Sequence, residues 1–190
     1  MMIQYRGGRP SNISPKVLKY APMILKLIKY PNPLLSERSK KISLIDASIR
    51  KLAADMAETM KSYGTEEESG VAIAAVQVGI PIRMTVIRDD DEKEGYFTLI
   101  NPEVVKGSKQ EILDIEGCMS VPQKYGKVSR AEKVKVKGLN LKGKKIEVKA
   151  EGLMARILQH EIDHMNGDLF LNHVEPGEMY RLTDEGKLEK

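Results

Sequence analysis

Between Glu151 and Asn166 the chain carries an apolar pattern at helical spacing that must be buried, and within it ionisable side chains that resist burial. Leu153 and Ile157 lead by helical steps to His160 and His164, while Leu158, Ile162 and Met165 widen the stripe. No proline interrupts it, and Gly167 is placed to end the helix. Residues four apart stand one turn above each other, so imidazoles at 160 and 164 converge from one helix face on one ion. Glu161, inside the run His160-Glu161-Ile162-Asp163-His164, then stands beside that ion as a proton-transfer group. On an apolar face Glu161 is a partly buried carboxylate without a partner unless a metal or bound water is present. The segment therefore predicts a helix over about 151–166 and reads as part of a metallohydrolase.

Two histidines do not close such a site, because a catalytic metal usually takes three protein ligands and leaves a position open for water. The longer zinc-protease pattern HExxHxxGxxH holds through Gly167, but its last position is Phe170, which cannot bind a metal. Glu178 and Glu185 lie in a polar, charge-mixed tail that offers little support for a fixed ligand. Cys118 is the remaining candidate, the only cysteine of the chain, between Gly117 and Met119. Its thiolate is a soft ligand suited to a divalent transition ion, although a lone buried cysteine is otherwise an ordinary small hydrophobe.

Three motifs in order carry a resemblance. Glu116-Gly117-Cys118-Met119-Ser120 resembles the EGCxS motif of peptide deformylases, and Gln159 to Gly167 resembles their QHExDHxxG helix. Gly70-Val71-Ala72-Ile73-Ala74-Ala75-Val76-Gln77 is similar to their GxGxAAxQ stretch, and the similarity runs from about Met23 to about His173. The family removes the formyl group from the N-terminal formyl-methionine of new polypeptides. The resemblance implies that Cys118, His160 and His164 hold one divalent metal ion and that Glu161 carries the proton. It further implies that the Gln77 side-chain amide and the Met119 backbone N–H face the oxyanion. Gly70, Val71, Ala72, Ile73, Glu116, Gly117 and Leu153 are the expected substrate contacts, with Val71, Ile73 and Leu153 forming an apolar pocket for a methionine side chain. Asp163 and Arg130 are expected to pair behind the metal helix. The resemblance implies iron, Fe(II), in the cell, with zinc, nickel or cobalt able to occupy the site, and oxidation of the thiolate as a route to inactivation.

The chain departs from the motif at Ala72, where the family has its second glycine. An added methyl there narrows the cleft, or strains the backbone if the position needs positive φ. Met119 and Met165 stand where leucine is common, volume-conserving changes that should be mild.

Elsewhere, Ile49, Leu52, Met56 and Met60 fall at helical spacing between Ser43 or Asp46 and Ser62, predicting a first amphipathic helix. Arg83 to Arg88 and Tyr96 to Ile100 read as strands. Lys133 to Lys137 and Lys145 to Lys149 alternate around an Asn140-Leu141-Lys142-Gly143 turn, as a hairpin would. The expected fold class is α+β, with mostly antiparallel strands packed around a central HExxH helix and an N-terminal helix. With 190 residues and 41% hydrophobic content the chain suits one domain over 23–190 preceded by an extension at 1–22. No run reaches membrane-spanning length.

The net charge of +4 comes from Arg6, Arg9, Lys16 and Lys19 in the first 22 residues, which hold no acid; the remainder carries 27 basic against 27 acidic residues. The body thus lacks the basic face of a nucleic-acid binder. Residues 1–22 read as a targeting remnant, a native arm or a start-site artefact. A single cysteine excludes an internal disulfide and suits a reducing compartment, the cytoplasm or an organelle matrix. Expected partners are N-formyl-Met peptides and nascent chains, with transient ribosome contact, and neither nucleic acid nor membrane. The alternatives are an HExxH metallopeptidase and an inactive metal-bound peptide-binding module.

Overall fold

Two amphipathic helices and the period-two alternation of a central set of strands account for where each side chain goes. The computed structural model describes residues 4–6, 21–63, 70–89, 92, 95–183 and 185–190. In chain order the elements are strand β1 (Gln4–Arg6), helix α1 (Ala47–Ser62), and strands β2 (Ala72–Ala74), β3 (Met84–Arg88), β4 (Tyr96–Gly107), β5 (Glu111–Cys118), β6 (Val121–Ala131), β7 (Lys133–Leu139) and β8 (Lys145–Glu151). Helix α2 (Gly152–Asn166) and strands β9 (Val174–Leu182) and β10 (Leu188–Glu189) follow. The strands form two antiparallel sheets, one in the order β1-β8-β7-β4-β3-β2 and one in the order β10-β9-β6-β5.

Alternation sorts the first sheet into two cores. Ala72, Ile87, Phe97, Leu99, Val136 and Val148 face Met154, Ala155, Leu158 and Ile162 of α2. The opposite parity, Ile73, Met84, Val86 and Ile100, packs on Ala53, Met56, Ala57 and Met60 of α1. Phe97, Leu99, Val136, Val148 and Leu158 are at most 1% exposed, and burial of each such side chain stabilises by about 1.5–3 kcal/mol. A third cluster, Leu35, Val121, Val128, Leu169 and Phe170, anchors β6 of the second sheet.

The helices begin and end where local chemistry allows. The Asp46 carboxylate accepts the Ser48 and Ile49 N–H groups and caps α1, one of the two starts the periodicity left open. Strand β8 passes into α2 without a linker, and Gly152 makes the turn at φ +59°. Gly167 ends α2 at φ +81°, and a Cβ there would stand 2.5 Å from the Ser36 carbonyl oxygen. The lysine-rich hairpin expected at 133–149 is β7–β8, closed by a turn in which the Asn140 side chain accepts the Lys142 and Lys144 N–H groups.

The segment before α1 ties the site loops together. Asp55 and Thr59 of α1 accept the Met23 and Leu25 N–H groups, and Ile28 and Tyr30 donate to the Gln77 and Ser120 carbonyls. Of the extension expected at residues 1–22, Gln4–Arg6 pair with β8, while 1–3 and 7–20 lie outside the described residues. Among the described residues no helix is long and apolar enough to cross a membrane.

Candidate metal centre and cleft

Cys118 is delivered by a break in strand pairing. The β5–β6 register runs evenly to Gly117↔Tyr125 and then jumps to Cys118↔Val121, so Pro122, Gln123 and Lys124 bulge out and the thiol is re-aimed. Gln123 takes φ +62° within this bulge. Gly117 is required for contact: a Cβ there would meet the Tyr125 ring at 2.5 Å. From the other side, α2 presents His160 and His164 one turn apart, with ring centroids 4.9 Å from each other. The 3-10 turn Ala75–Val78 supplies Gln77, whose Oε1 accepts the Ala74 N–H at 2.8 Å. That bond turns the amide NH₂ toward the Ser120 Oγ at 3.2 Å and the Cys118 Sγ at 3.5 Å.

One ligand atom each from Cys118, His160 and His164 lies within 4.8 Å of the others. The Cys118 Sγ is 3.2 Å from His164 Nε2. Burial opposes ionisation of the thiol, but the His164 and His160 imidazoles outweigh it and hold its pKa well below the ordinary thiol value. Burial likewise opposes protonation of His160, yet its contacts with Cys118 and Glu116 raise its pKa well above the usual imidazole value. A thiolate held by two imidazoles around one point fits a divalent ion in place of the shared protons. The His160 Nδ1 is engaged by Glu116 Oε2 at 3.0 Å, which leaves Nε2 as the ligating nitrogen. The buried Nδ1 of His164 has no partner among the described residues.

The expected alternatives for a third ligand fall away in three dimensions. Glu178 pairs with Lys127 and Lys190, and Glu185 with Lys187. Phe170, where the longer protease pattern wants histidine, is a core residue whose ring lies 6.1 Å from that of His160.

Glu116 corrects one expectation. It borders the cleft, but its carboxylate is committed: Oε1 accepts from Arg156 Nη1 at 2.7 Å and Arg130 Nε at 2.9 Å, and Oε2 from Arg130 Nη2 at 3.1 Å and the His160 ring. It therefore holds the metal helix against the Cys118 hairpin and has no oxygen to spare for a peptide. Burial pushes its pKa up, but His160 and Arg130 prevail and lower it to about 2. Arg130 also pairs with Asp163, as the motif resemblance implied.

Glu161 is 3% exposed, and burial raises its pKa. Its Oε2 lies 3.2 Å from the Thr85 hydroxyl. Thr85, Arg156 and Lys29 are site residues that the sequence did not single out. Arg156 had a signal, a cation set into the apolar stripe one turn before His160. Thr85 and Lys29, whose Nζ donates to the Met119 carbonyl at 2.6 Å, had none.

A cleft of about 470 Å³ opens over Cys118 and His160, and Gly70, Val71, Ala72, Gln77, Gly117, Met119, Leu153 and Glu161 line it. Leu153 is 58% exposed at its rim rather than part of the buried stripe. Ile73 is the second correction: strand parity turns it into the α1 core at 0% exposure, away from the cleft. Ala72 has ordinary extended backbone, so its methyl brings no positive-φ strain; it packs toward α2 and lines the cleft. A larger cavity of about 740 Å³, lined by Arg38, Arg83, Glu103 and Asp163, lies behind α2 and contains none of the three ligands.

The polypeptide deformylase family model matches residues 24–179. The chain belongs to the peptide deformylase family. A peptide deformylase from Carboxydothermus hydrogenoformans is 47% identical over 148 residues, 78% of this chain and 91% of the relative. The crystal structure of a deformylase from Legionella pneumophila superposes with a TM-score of 0.74 at 41% identity, covering 80% of this chain and 87% of that one. A class I type b deformylase from Acinetobacter baumannii with Met-Ala-Ser bound gives a TM-score of 0.72 at 35% identity, covering 81% of this chain and all of the other, 100%. The two-sheet, two-helix arrangement is thus the deformylase fold, and its metal-dependent chemistry has a Cys-His-His group here to serve it.

Proposed function

We propose that this chain hydrolyses the N-terminal formyl group of formyl-methionine on newly synthesised polypeptides, releasing formate, with Cys118, His160 and His164 holding one divalent ion. The observation that carries the proposal is the convergence of the three ligand atoms within 4.8 Å, beside a buried Glu161. When bound, the ion supplies an acidified water and positive charge for the formyl oxygen. Glu161 takes a proton as the water oxygen bonds to the formyl carbon, then gives it to the amine as the C–N bond breaks. Burial that raises its pKa favours a group able to both accept and donate. The Gln77 NH₂, turned toward Cys118 by its bond to Ala74, and the Met119 N–H stabilise the charge on the oxyanion.

Substrate orientation follows from β2, which stands at the edge of the first sheet with Gly70 and Val71 leading into it. An edge strand suits pairing with an extended peptide, and exposed Val71 and Leu153 suit a methionine side chain. We read helix α2 as the central element, a reading supported by its contacts with β2, β4, β7 and β8 of one sheet and β6 of the other. Residues 23–190 form the catalytic unit, with iron(II) as the cellular metal in a cytoplasmic or organelle-matrix setting and transient contact with the ribosome. The test is turnover of formyl-Met-Ala-Ser against Met-Ala-Ser with both formate and amino acids measured. Formate from the first and no cleavage of the second is expected; equal peptide-bond cleavage of both would identify a peptidase instead.

A further inference from the structure

Among the described residues the Glu161 carboxylate has one hydrogen-bonding partner, the Thr85 hydroxyl 3.2 Å from Oε2. Thr85 is 0% exposed on β3, at the parity that faces α2, where Ala72, Ile87, Phe97 and Leu99 are all apolar. A hydroxyl in such a place is unfavourable unless it is bonded. It has two acceptors in reach, the Ile73 carbonyl at 3.0 Å and Glu161 Oε2. With one proton to give, it donates to one of them at a time, and an ionised carboxylate is the stronger acceptor.

We infer that Thr85 is a positioning residue for the proton carrier. By donating to Oε2, it fixes the carboxylate plane and leaves Oε1 as the basic oxygen, the one that meets the attacking water. The bond survives proton uptake, because a carboxylic acid protonated on Oε1 still accepts at Oε2. Glu161 is thereby held in one orientation through both halves of the proton transfer, which a side chain with no polar anchor in an apolar wall would not be.

The inference rests on Glu161 being the proton carrier, and the experiment separates the two claims. Thr85→Val keeps the shape and removes the hydroxyl; Thr85→Ser keeps the hydroxyl and removes the methyl; Glu161→Gln removes the proton carrier. With formyl-Met-Ala-Ser as substrate and metal content measured on each sample, Thr85→Val should lower kcat about tenfold with KM within about twofold of the parent and full metal. Thr85→Ser should recover most of the loss, and Thr85→Val should add nothing in the Glu161→Gln background. A parental kcat in Thr85→Val while Glu161→Gln is inactive overturns the inference alone. So does a Thr85→Ser as slow as Thr85→Val, or a loss that tracks missing metal or appears only in KM. A Glu161→Gln variant with parental kcat overturns both claims.

Discussion

Replacing Glu116 by glutamine removes one negative charge from a buried junction and changes almost nothing in volume. The parent carboxylate accepts four contacts, two on each oxygen, from Arg156, Arg130 and His160. An amide has one acceptor oxygen, so its NH₂ must face either Arg156 and Arg130 Nε or His160 and Arg130 Nη2, donor against donor. Removing one partner of a buried ion pair typically costs about 3–5 kcal/mol. Linkage gives a similar size: the carboxyl falls from 4.5 to about 2 on folding, equivalent to about 3 kcal/mol at neutral pH. Because the folded pKa is the lower one, this stabilisation is fully present above the unfolded value of 4.5 and disappears as pH falls toward 2. Urea unfolding of the metal-free protein should therefore show a loss of about 3 kcal/mol for Glu116→Gln at pH 7, shrinking below pH 4.5. Metal affinity should fall about ten- to a hundredfold as His160 loses its orienting acceptor. Glu178 is the control: its pKa is also lowered to about 2, but by Lys127, Tyr180 and Lys190 at the solvent surface, where screening removes the gain. Glu178→Gln should leave the midpoint where it is. A Glu116→Gln variant as stable and as metal-replete as the parent would refute the account of this junction.

Gln77→Leu should lower kcat about 10²–10³-fold with metal retained, measured on formyl-Met peptides; a parental kcat would remove Gln77 from the oxyanion site. Ala72→Gly should lower KM for the bulkier members of a formyl-peptide series with kcat little changed, and an unaltered KM throughout would show that the methyl does not reach the substrate. Gly167→Ala forces a Cβ to 2.5 Å from the Ser36 carbonyl at φ +81°. It should destabilise by at least about 1–2 kcal/mol in urea unfolding, and an unchanged midpoint would contradict the close approach drawn there.

The parts of the fold legible in the sequence are those where burial and periodicity agree. Helices α1 and α2 and the β7–β8 hairpin each bury one face, so their patterns show it. The β5–β6 ribbon does not: Ile112, Leu113 and Ile115 are exposed, no alternation marks the strand, and its existence rests on long-range backbone pairing. Tyr96 to Ile100 was legible as a strand, but β4 continues to Gly107, and Glu103 to Gly107 are exposed on both faces. In the site, the residues fixed by motif spacing, Cys118, His160, His164, Glu161 and Gln77, come together as the resemblance implied. Ile73 was misplaced because a one-residue change of parity on β2 decides between cleft and core. Glu116 was assigned to substrate because its two arginine partners are distant in sequence, and Thr85 was invisible because only the packing of β3 on α2 brings it to Glu161.

The most direct test of the central claim is formate released from a formyl-Met peptide by protein purified without oxygen, with metal counted in the same sample. The account predicts formate in step with metal occupancy, lost in Cys118→Ser and His164→Ala together with the metal. A fully metal-loaded sample that releases no formate would contradict it.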